Sequence, residues 1–201
     1  MSSTLVTRPA PDFTAKAVMP NNEIVDHFNL KQYLKGEVGV IFFYPLDFTF
    51  VCPSEIIAFN NRLGEFAARN VRVIGISVDS HFTHHAWKNT PINKGGIGSI
   101  QFPLVADLTK SIARDYGVLL DDAVALRATF LIDKQGIVRH ALVNDLPLGR
   151  NVDETLRTID AWMHYEKDGE VCPAGWMKGA AAMRPTQEGV SDFLASYADE
   201  L

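Results

Sequence analysis

The chain has 201 residues, of which 47% are hydrophobic, and its 19 lysines and arginines against 24 acidic residues leave a formal net charge of −5. That size and apolar content suffice for one substantial core, and an acidic balance without a lysine/arginine block argues against nucleic acid as a partner. Met1-Ser2-Ser3-Thr4-Leu5-Val6-Thr7-Arg8-Pro9 lacks a charged start followed by an apolar stretch, and the densest apolar run, Val38 to Tyr44, is too short to span a bilayer, so a soluble cytoplasmic protein with no membrane partner is expected.

Val38-Gly39-Val40-Ile41-Phe42-Phe43-Tyr44 is a continuous apolar, β-branched and aromatic run, which predicts a strand buried on both faces. Val71 to Val78 predicts a second. Between them Ile56, Phe59, Leu63, Phe66 and Ala67 recur at helical spacing, so strand, helix and strand form a parallel βαβ unit with a right-handed crossover. Phe102 to Val105 is a short strand candidate, and Thr109 to Tyr116 a short helix that stops at Gly117. Arg127 to Ile132 and Ile137 to Val143 flank Asp133-Lys134-Gln135-Gly136, which predicts an antiparallel hairpin. A further helix begins near Asn151, with Val152, Leu156, Ile159 and Met163 along one face and Glu154 as a capping-box partner. This order describes an α/β, thioredoxin-like fold: a mixed central sheet flanked by helices. From Glu166 onward the character changes, with Gly, Pro and Ala dominating 169 to 185 before a helical stretch from about 188 to 199. The expected division is a thioredoxin-like domain over 1–165 and a C-terminal arm over 166–201.

Two cysteines are too few for a disulfide-stapled scaffold, so any pairing between them is expected to be transient. Cys52 follows the first buried strand by a short loop and stands directly before Pro53. Proline is favoured at the first position of a helix, which puts Cys52 at a helix N-terminus. There, backbone N–H groups and the helix dipole lower a cysteine pKa from about 8.5 to roughly 3.5 to 7.5. A lone cysteine behind an apolar strand is ordinarily a small buried hydrophobe; the proline-flanked loop is what argues for chemistry instead.

The pattern Pro45-x-x-x-Thr49-x-x-Cys52 resembles the active-site signature of the peroxiredoxins. The longer string Phe42-Phe43-Tyr44-Pro45-Leu46-Asp47-Phe48-Thr49-Phe50-Val51-Cys52-Pro53-Ser54-Glu55 is similar to that of the typical two-cysteine subfamily, which includes bacterial alkyl hydroperoxide reductase subunits. Similarity runs from Ala10-Pro11-Asp12-Phe13 through Val78-Asp79-Ser80-His81-Phe82 and Asn144 to Arg150, and on to Gly169-Glu170-Val171-Cys172-Pro173-Ala174-Gly175-Trp176.

The resemblance implies a thiol peroxidase acting on hydrogen peroxide and organic hydroperoxides. Cys52 becomes a sulfenic acid, Thr49 and Pro45 shape the pocket, Arg127 is the active-site arginine, and Glu55 and Arg150 hold it, with Tyr44 beside them. Cys172 matches the resolving cysteine, which forms an intersubunit disulfide with Cys52 in a homodimer that assembles further to a decamer. Thioredoxin or a flavoprotein disulfide reductase then restores both thiols, and no metal or other cofactor is needed. Ionisation alone does not account for such activity. Full ionisation of a thiol of pKa 8.5 raises the thiolate at neutral pH by roughly 30-fold, or about 2 kcal/mol, so donors aimed at the departing oxygen are required, and Thr49 and Arg127 are the residues expected to supply them.

Family members balance local unwinding against overoxidation through a Gly-Gly-Leu-Gly loop and a Tyr-Phe pair; this chain has Gly95-Gly96-Ile97-Gly98 and Phe193-Leu194, so intermediate peroxide sensitivity is expected. Other readings have less behind them. His81, His84 and His85 cluster near Trp87 but lack the further ligands a metal site needs. A redox-regulated holdase chaperone is the alternative as a second role, with Phe48, Phe82 and Trp87 as exposed aromatics. A general disulfide oxidoreductase needs a second cysteine close to Cys52, which is missing.

Overall fold

The computed structural model describes residues 4–201; Met1, Ser2 and Ser3 of the polar N-terminal stretch lie outside the described residues. The chain opens with a hairpin, β1 (Thr14–Val18) and β2 (Ile24–Asn29), and one helical turn, α1 (Leu30–Leu34). The expected βαβ unit follows as β3 (Val38–Phe43), α2 (Cys52–Asn61), α3 (Leu63–Ala67) and β4 (Val71–Ser77). Next come α4 (His81–Lys88), β5 (Leu104–Ala106), α5 (Ser111–Asp115) and a small ribbon of β6 (Leu119–Leu120) and β7 (Val124–Ala125). The predicted hairpin is β8 (Arg127–Ile132) with β9 (Val138–Asn144), and two helices complete the chain, α6 (Val152–Asp168) and α7 (Gln187–Tyr197).

Among the described residues the larger strands form a seven-stranded sheet in the order β2-β1-β5-β4-β3-β8-β9. Its centre, β3, β4 and β5, is parallel. The flanking pairs are antiparallel, so the sheet is mixed and the thioredoxin-like expectation is met. Every residue of β3 is buried, as a strand covered on both faces requires. Alternation then decides which side each residue serves. Ile41, Phe43, Ile74, Ile76, Ala128 and Phe130 join one core, while Phe42 points the other way and stacks on Phe59 of α2 with ring centres 4.3 Å apart. Gly75 makes room there: a Cβ on it would sit 2.8 Å from Leu104 Cδ2 and 3.0 Å from Phe42 Cζ.

The stretch from Ile56 to Ala67 is two helices, not one continuous helix. The break falls at Arg62, whose φ of −101° leaves the α region. Asn60 and Asn61, weak helix formers, precede it, and Asn60 Oδ1 accepts the Gln101 N–H at 2.8 Å, a contact outside the helix. Ala67 is exposed rather than core-facing.

The chain divides into two compact units, Met1–Val152 and Asp153–Leu201. Helix α6 therefore groups with the C-terminal segment, whereas the sequence reading ends the first domain at residue 165, inside the last turn of that helix. Within the second unit, Val171 and Met183 pair across the irregular stretch. No helix among the described residues is long and apolar enough to cross a membrane.

Candidate active site

β3 ends at Phe43, at the carboxyl edge of the parallel strands, where open α/β sheets gather their ligands. After the loop of residues 44–51, Cys52 is the first residue of α2, with Pro53 in the first turn. Cys52 is fully buried. Its Sγ lies 3.0 Å from Thr49 Oγ1 and 3.4 Å from Arg127 Nη1. Thr49 Oγ1 is also 2.8 Å from the Leu46 carbonyl. A hydroxyl has one proton, so Thr49 donates either to Leu46 or to the sulfur, and while it donates to Leu46 its oxygen can accept from a Cys52 S–H. One side chain thus serves both the thiol and the thiolate without moving. Pro45 is buried at the start of the same loop.

Arg127 reaches this point through strand register. β8 runs antiparallel to β3 with Thr129 opposite Phe42, so Arg127, two residues earlier, lies beyond the end of β3 on the Phe42 side of the sheet. Its Nε donates to the Leu146 carbonyl at 2.6 Å and its Nη1 to Glu55 Oε2 at 2.7 Å. Glu55 is three residues into α2 from Cys52, so its carboxylate faces the same site. The backbone N–H of Arg150 and its Nε donate to Glu55 Oε1 at 2.9 and 2.8 Å, and its Nη2 donates to Oε2 at 2.8 Å. Arg150 Nη1 meanwhile donates to the carbonyls of Phe43 and Ala128 at 2.8 and 2.7 Å, tying β3 to β8. Arg127 and Arg150 meet on one shared carboxylate. Two guanidiniums and one carboxylate, all buried, carry a single positive charge that a thiolate at Cys52 neutralises.

Tyr44 sits apart from this group. Its hydroxyl donates to Asp47 Oδ1 at 2.8 Å, and His84 Nδ1 lies 2.7 Å from Asp47 Oδ2. His84 Nε2 is 3.2 Å from the Val105 carbonyl, so both ring nitrogens face oxygen acceptors. Asp79 Oδ2 accepts the Asp47 backbone N–H at 2.7 Å and the Ser77 hydroxyl at 3.1 Å. Burial, and then the Asp47 charge, push both the Tyr44 hydroxyl and the Asp79 carboxyl above their ordinary pKa values. This network fastens the 44–51 loop from behind. The sequence reading assigned Asp47 no role and weighed His84 only as one of a cluster of histidines considered for metal binding.

His84 is buried while His81 and His85 are only partly so, and among the described residues no group of three or more His, Cys, Asp or Glu is placed to hold a metal ion. Trp87 corrects another expectation. It is fully buried, and its Nε1 donates to the Gly95 carbonyl at 2.8 Å, so it contributes nothing to an exposed aromatic surface. Phe48 and Phe82 are exposed, and Phe50 is 95% exposed. The Gly95 to Gly98 turn packs so closely on the end of α4 that a Cβ on Gly96 would lie 1.9 Å from the Thr90 carbonyl.

In the second unit Cys172 is partly buried, with its Sγ 3.5 Å from the Ala161 carbonyl of α6. Burial pushes its pKa up; the Arg157 charge pulls it back and the Glu170 charge adds to the rise.

Comparison with known proteins supplies the family. Residues 6–141 match the AhpC/TSA family, and residues 161–196, which hold Cys172, match the C-terminal domain of 1-Cys peroxiredoxin. Alkyl hydroperoxide reductase C of Helicobacter pylori is 58% identical over 190 residues, covering 94% of this chain and 96% of that protein. Peroxiredoxin-1 of Gallus gallus is 51% identical over 191 residues, covering 94% and 95%. The crystal structure of reduced 2-Cys peroxiredoxin from Plasmodium vivax superposes with a TM-score of 0.93 at 54% identity, covering 96% of this chain and all of that one. The chain therefore belongs to the AhpC/TSA family of peroxiredoxins and is a peroxidase.

Proposed function

We propose that this peroxidase runs a two-cysteine cycle in which Cys52 attacks the peroxide and Cys172 of a second chain resolves the product. The observation that carries the reading is the placement of Cys52 Sγ between Thr49 Oγ1 at 3.0 Å and Arg127 Nη1 at 3.4 Å. The Cys52 thiolate attacks one peroxide oxygen, the S–O bond forms as the O–O bond breaks, and the departing oxygen takes a proton to leave as water or an alcohol. Donors already aimed at the reacting centre stabilise the charge that develops on that oxygen. Pro45 walls the pocket and contributes no N–H. Glu55 and Arg150 hold the Arg127 guanidinium in place, and Tyr44 holds the loop through Asp47. The sulfenic acid at Cys52 then loses hydroxide to attack by the Cys172 thiolate, which closes a disulfide and prevents further oxidation.

Residues 1–165 supply the peroxidatic site in this reading, and 166–201 act as the arm that delivers Cys172. The cysteines are 172 − 52 = 120 residues apart in sequence, and the partner thiol comes from the other subunit of a homodimer that assembles further to a decamer. A disulfide is about 2 Å long, so a fully buried Cys52 reaches another chain only if the first turn of α2, around Val51 to Ser54, unwinds. Thioredoxin or a flavoprotein disulfide reductase reopens the disulfide, in a cytoplasm reducing enough to sustain each turnover. Hydrogen peroxide and organic hydroperoxides are the substrates. With the Gly95 to Gly98 turn kept but Phe193-Leu194 at the terminal pair, overoxidation sensitivity is intermediate.

Non-reducing gel electrophoresis after one equivalent of hydrogen peroxide tests the cycle. A shift to a dimer band that Cys52→Ser and Cys172→Ser each abolish is the expected result. Multi-turnover activity with thioredoxin that survives Cys172→Ser overturns the resolving role. Exposed Phe48, Phe50 and Phe82 also fit a holdase as a second role, which the Cys52→Ser protein separates from catalysis.

A further inference from the structure

Residues 157, 161, 164 and 168 of α6 recur at helical spacing and share one face. What that face touches in the following segment surrounds Cys172. Arg157, clamped by Glu154 through bonds of 2.7 and 2.7 Å, donates Nη1 to the Trp176 carbonyl at 2.9 Å. The Ala161 carbonyl meets the Cys172 sulfur at 3.5 Å. His164 Nε2 lies 3.2 Å from Glu170 Oε2, its Nδ1 lies 3.2 Å from Asp168 Oδ2, and its ring centre is 5.0 Å from that of Trp176. A single imidazole therefore holds the chain two residues before Cys172 and four residues after it.

Its charge state matters to that grip. Neutral imidazole has one N–H and can satisfy one of the two carboxylates. The protonated ring has two, faces both carboxylates, and sets a cation against an indole. We propose that His164 is a positioning residue for the resolving step: when protonated it latches the segment bearing Cys172 onto α6, so acidification slows transfer of Cys172 to the Cys52 sulfenic acid. The proposal rests on the two-cysteine cycle. In the step it controls, the Cys172 thiolate attacks the sulfenic sulfur, the S–S bond forms, the S–O bond breaks, and the hydroxide leaves as water with the proton Cys172 gave up.

The groups facing His164 are Asp168 on its own helix and Glu170 and Trp176 from the segment it holds. Cys172 and the Arg157–Glu154 pair lie along the same face, flanked by Asp160 with Lys178 at 3.8 Å. Burial of Cys172 works in the same direction, because a docked sulfur that keeps its proton is more easily released at higher pH. The test must therefore isolate the imidazole from the thiol.

His164→Phe does so: it keeps a ring for Trp176 and cannot carry charge. The measurement is the rate of Cys52–Cys172 disulfide formation in the reduced full-length protein, by rapid quench and mass spectrometry after one equivalent of hydrogen peroxide, at pH 6 and pH 8. On the size of a partly exposed ion pair plus a cation–π contact, wild type should slow from pH 8 to pH 6 by about five-fold more than His164→Phe. Glu170→Gln, which leaves the ring but removes its partner on the arm, should flatten the profile in the same way and stands in if the first variant folds poorly. Superimposable pH ratios in wild type and both variants overturn the latch. Absence of any Cys52–Cys172 disulfide in wild type overturns the two-cysteine reading and the latch with it.

Discussion

Cys52 and Cys172 are both thiols held against a helix, but Cys52 stands at the start of α2 with a hydroxyl and a guanidinium on its sulfur, while Cys172 lies along the flank of α6 with a carbonyl on its own. Donors aimed at sulfur suit an anion, and the same donors suit the oxygen that departs from it. An acceptor suits a thiol, and burial pushes the Cys172 pKa up accordingly. The same functional group thus sits among donors in one place and against an acceptor in the other. Fixed elements, the ends of β3 and β8 and the start of α2, build the first environment. The second is built from one helix face and an irregular segment.

Arg127 gives the largest expected effect on this contrast. Arg127→Ala leaves Glu55 with its three bonds from Arg150, so the fold should persist, while peroxide oxidation of Cys52 slows by a factor of roughly 10² to 10³, the cost of one lost oxyanion donor. Stopped-flow oxidation of the reduced protein reads this directly. Next is Glu55→Gln, which takes the shared carboxylate from two buried arginines and should destabilise the protein by about 3 kcal/mol in urea unfolding, with Cys52 oxidation slowed as Arg127 loses its anchor. Wild-type stability in that variant would mean that the arginines are held by carbonyls alone. Smallest is the effect of pH on Cys172. A folded pKa above the unfolded one means that docking is most stable below the ordinary thiol pKa and weakens as pH rises through the raised value. In Cys52→Ser protein, iodoacetamide should label Cys172 more slowly at pH 7 than it labels the urea-unfolded chain, with the gap closing as pH increases.

Much of the candidate site around Cys52 was legible because its signals are local. The apolar run into β3, the proline after Cys52 and the spacing of Thr49 and Cys52 all lie within one short stretch, and the Asp133–Gly136 reversal marked the β8–β9 hairpin. Arg127 came from resemblance, and register explains why a residue 75 positions away arrives at the sulfur. Other features left no comparable trace. The Leu146 carbonyl that anchors Arg127 is backbone, which any residue supplies. Asp47 and His84 are 37 residues apart, and nothing near either announces the other. The N-terminal hairpin mixes exposed, half-buried and buried positions without regular alternation in short strands, too weak a pattern to stand out. The break at Arg62 depends on a contact from Asn60 to Gln101 that only the folded chain makes.

The central claim is that Arg127 acts on the departing oxygen and not simply by ionising Cys52, and comparing two reactions of the same thiol separates these. Both peroxide and iodoacetamide consume the thiolate, but only peroxide sheds a charged oxygen at this site. In Cys172→Ser protein, adding Arg127→Ala should cut the rate of Cys52 oxidation by hydrogen peroxide far more than the rate of its alkylation. Equal losses in the two reactions would mean that Arg127 serves only to create the thiolate, which contradicts a role for it at the departing oxygen.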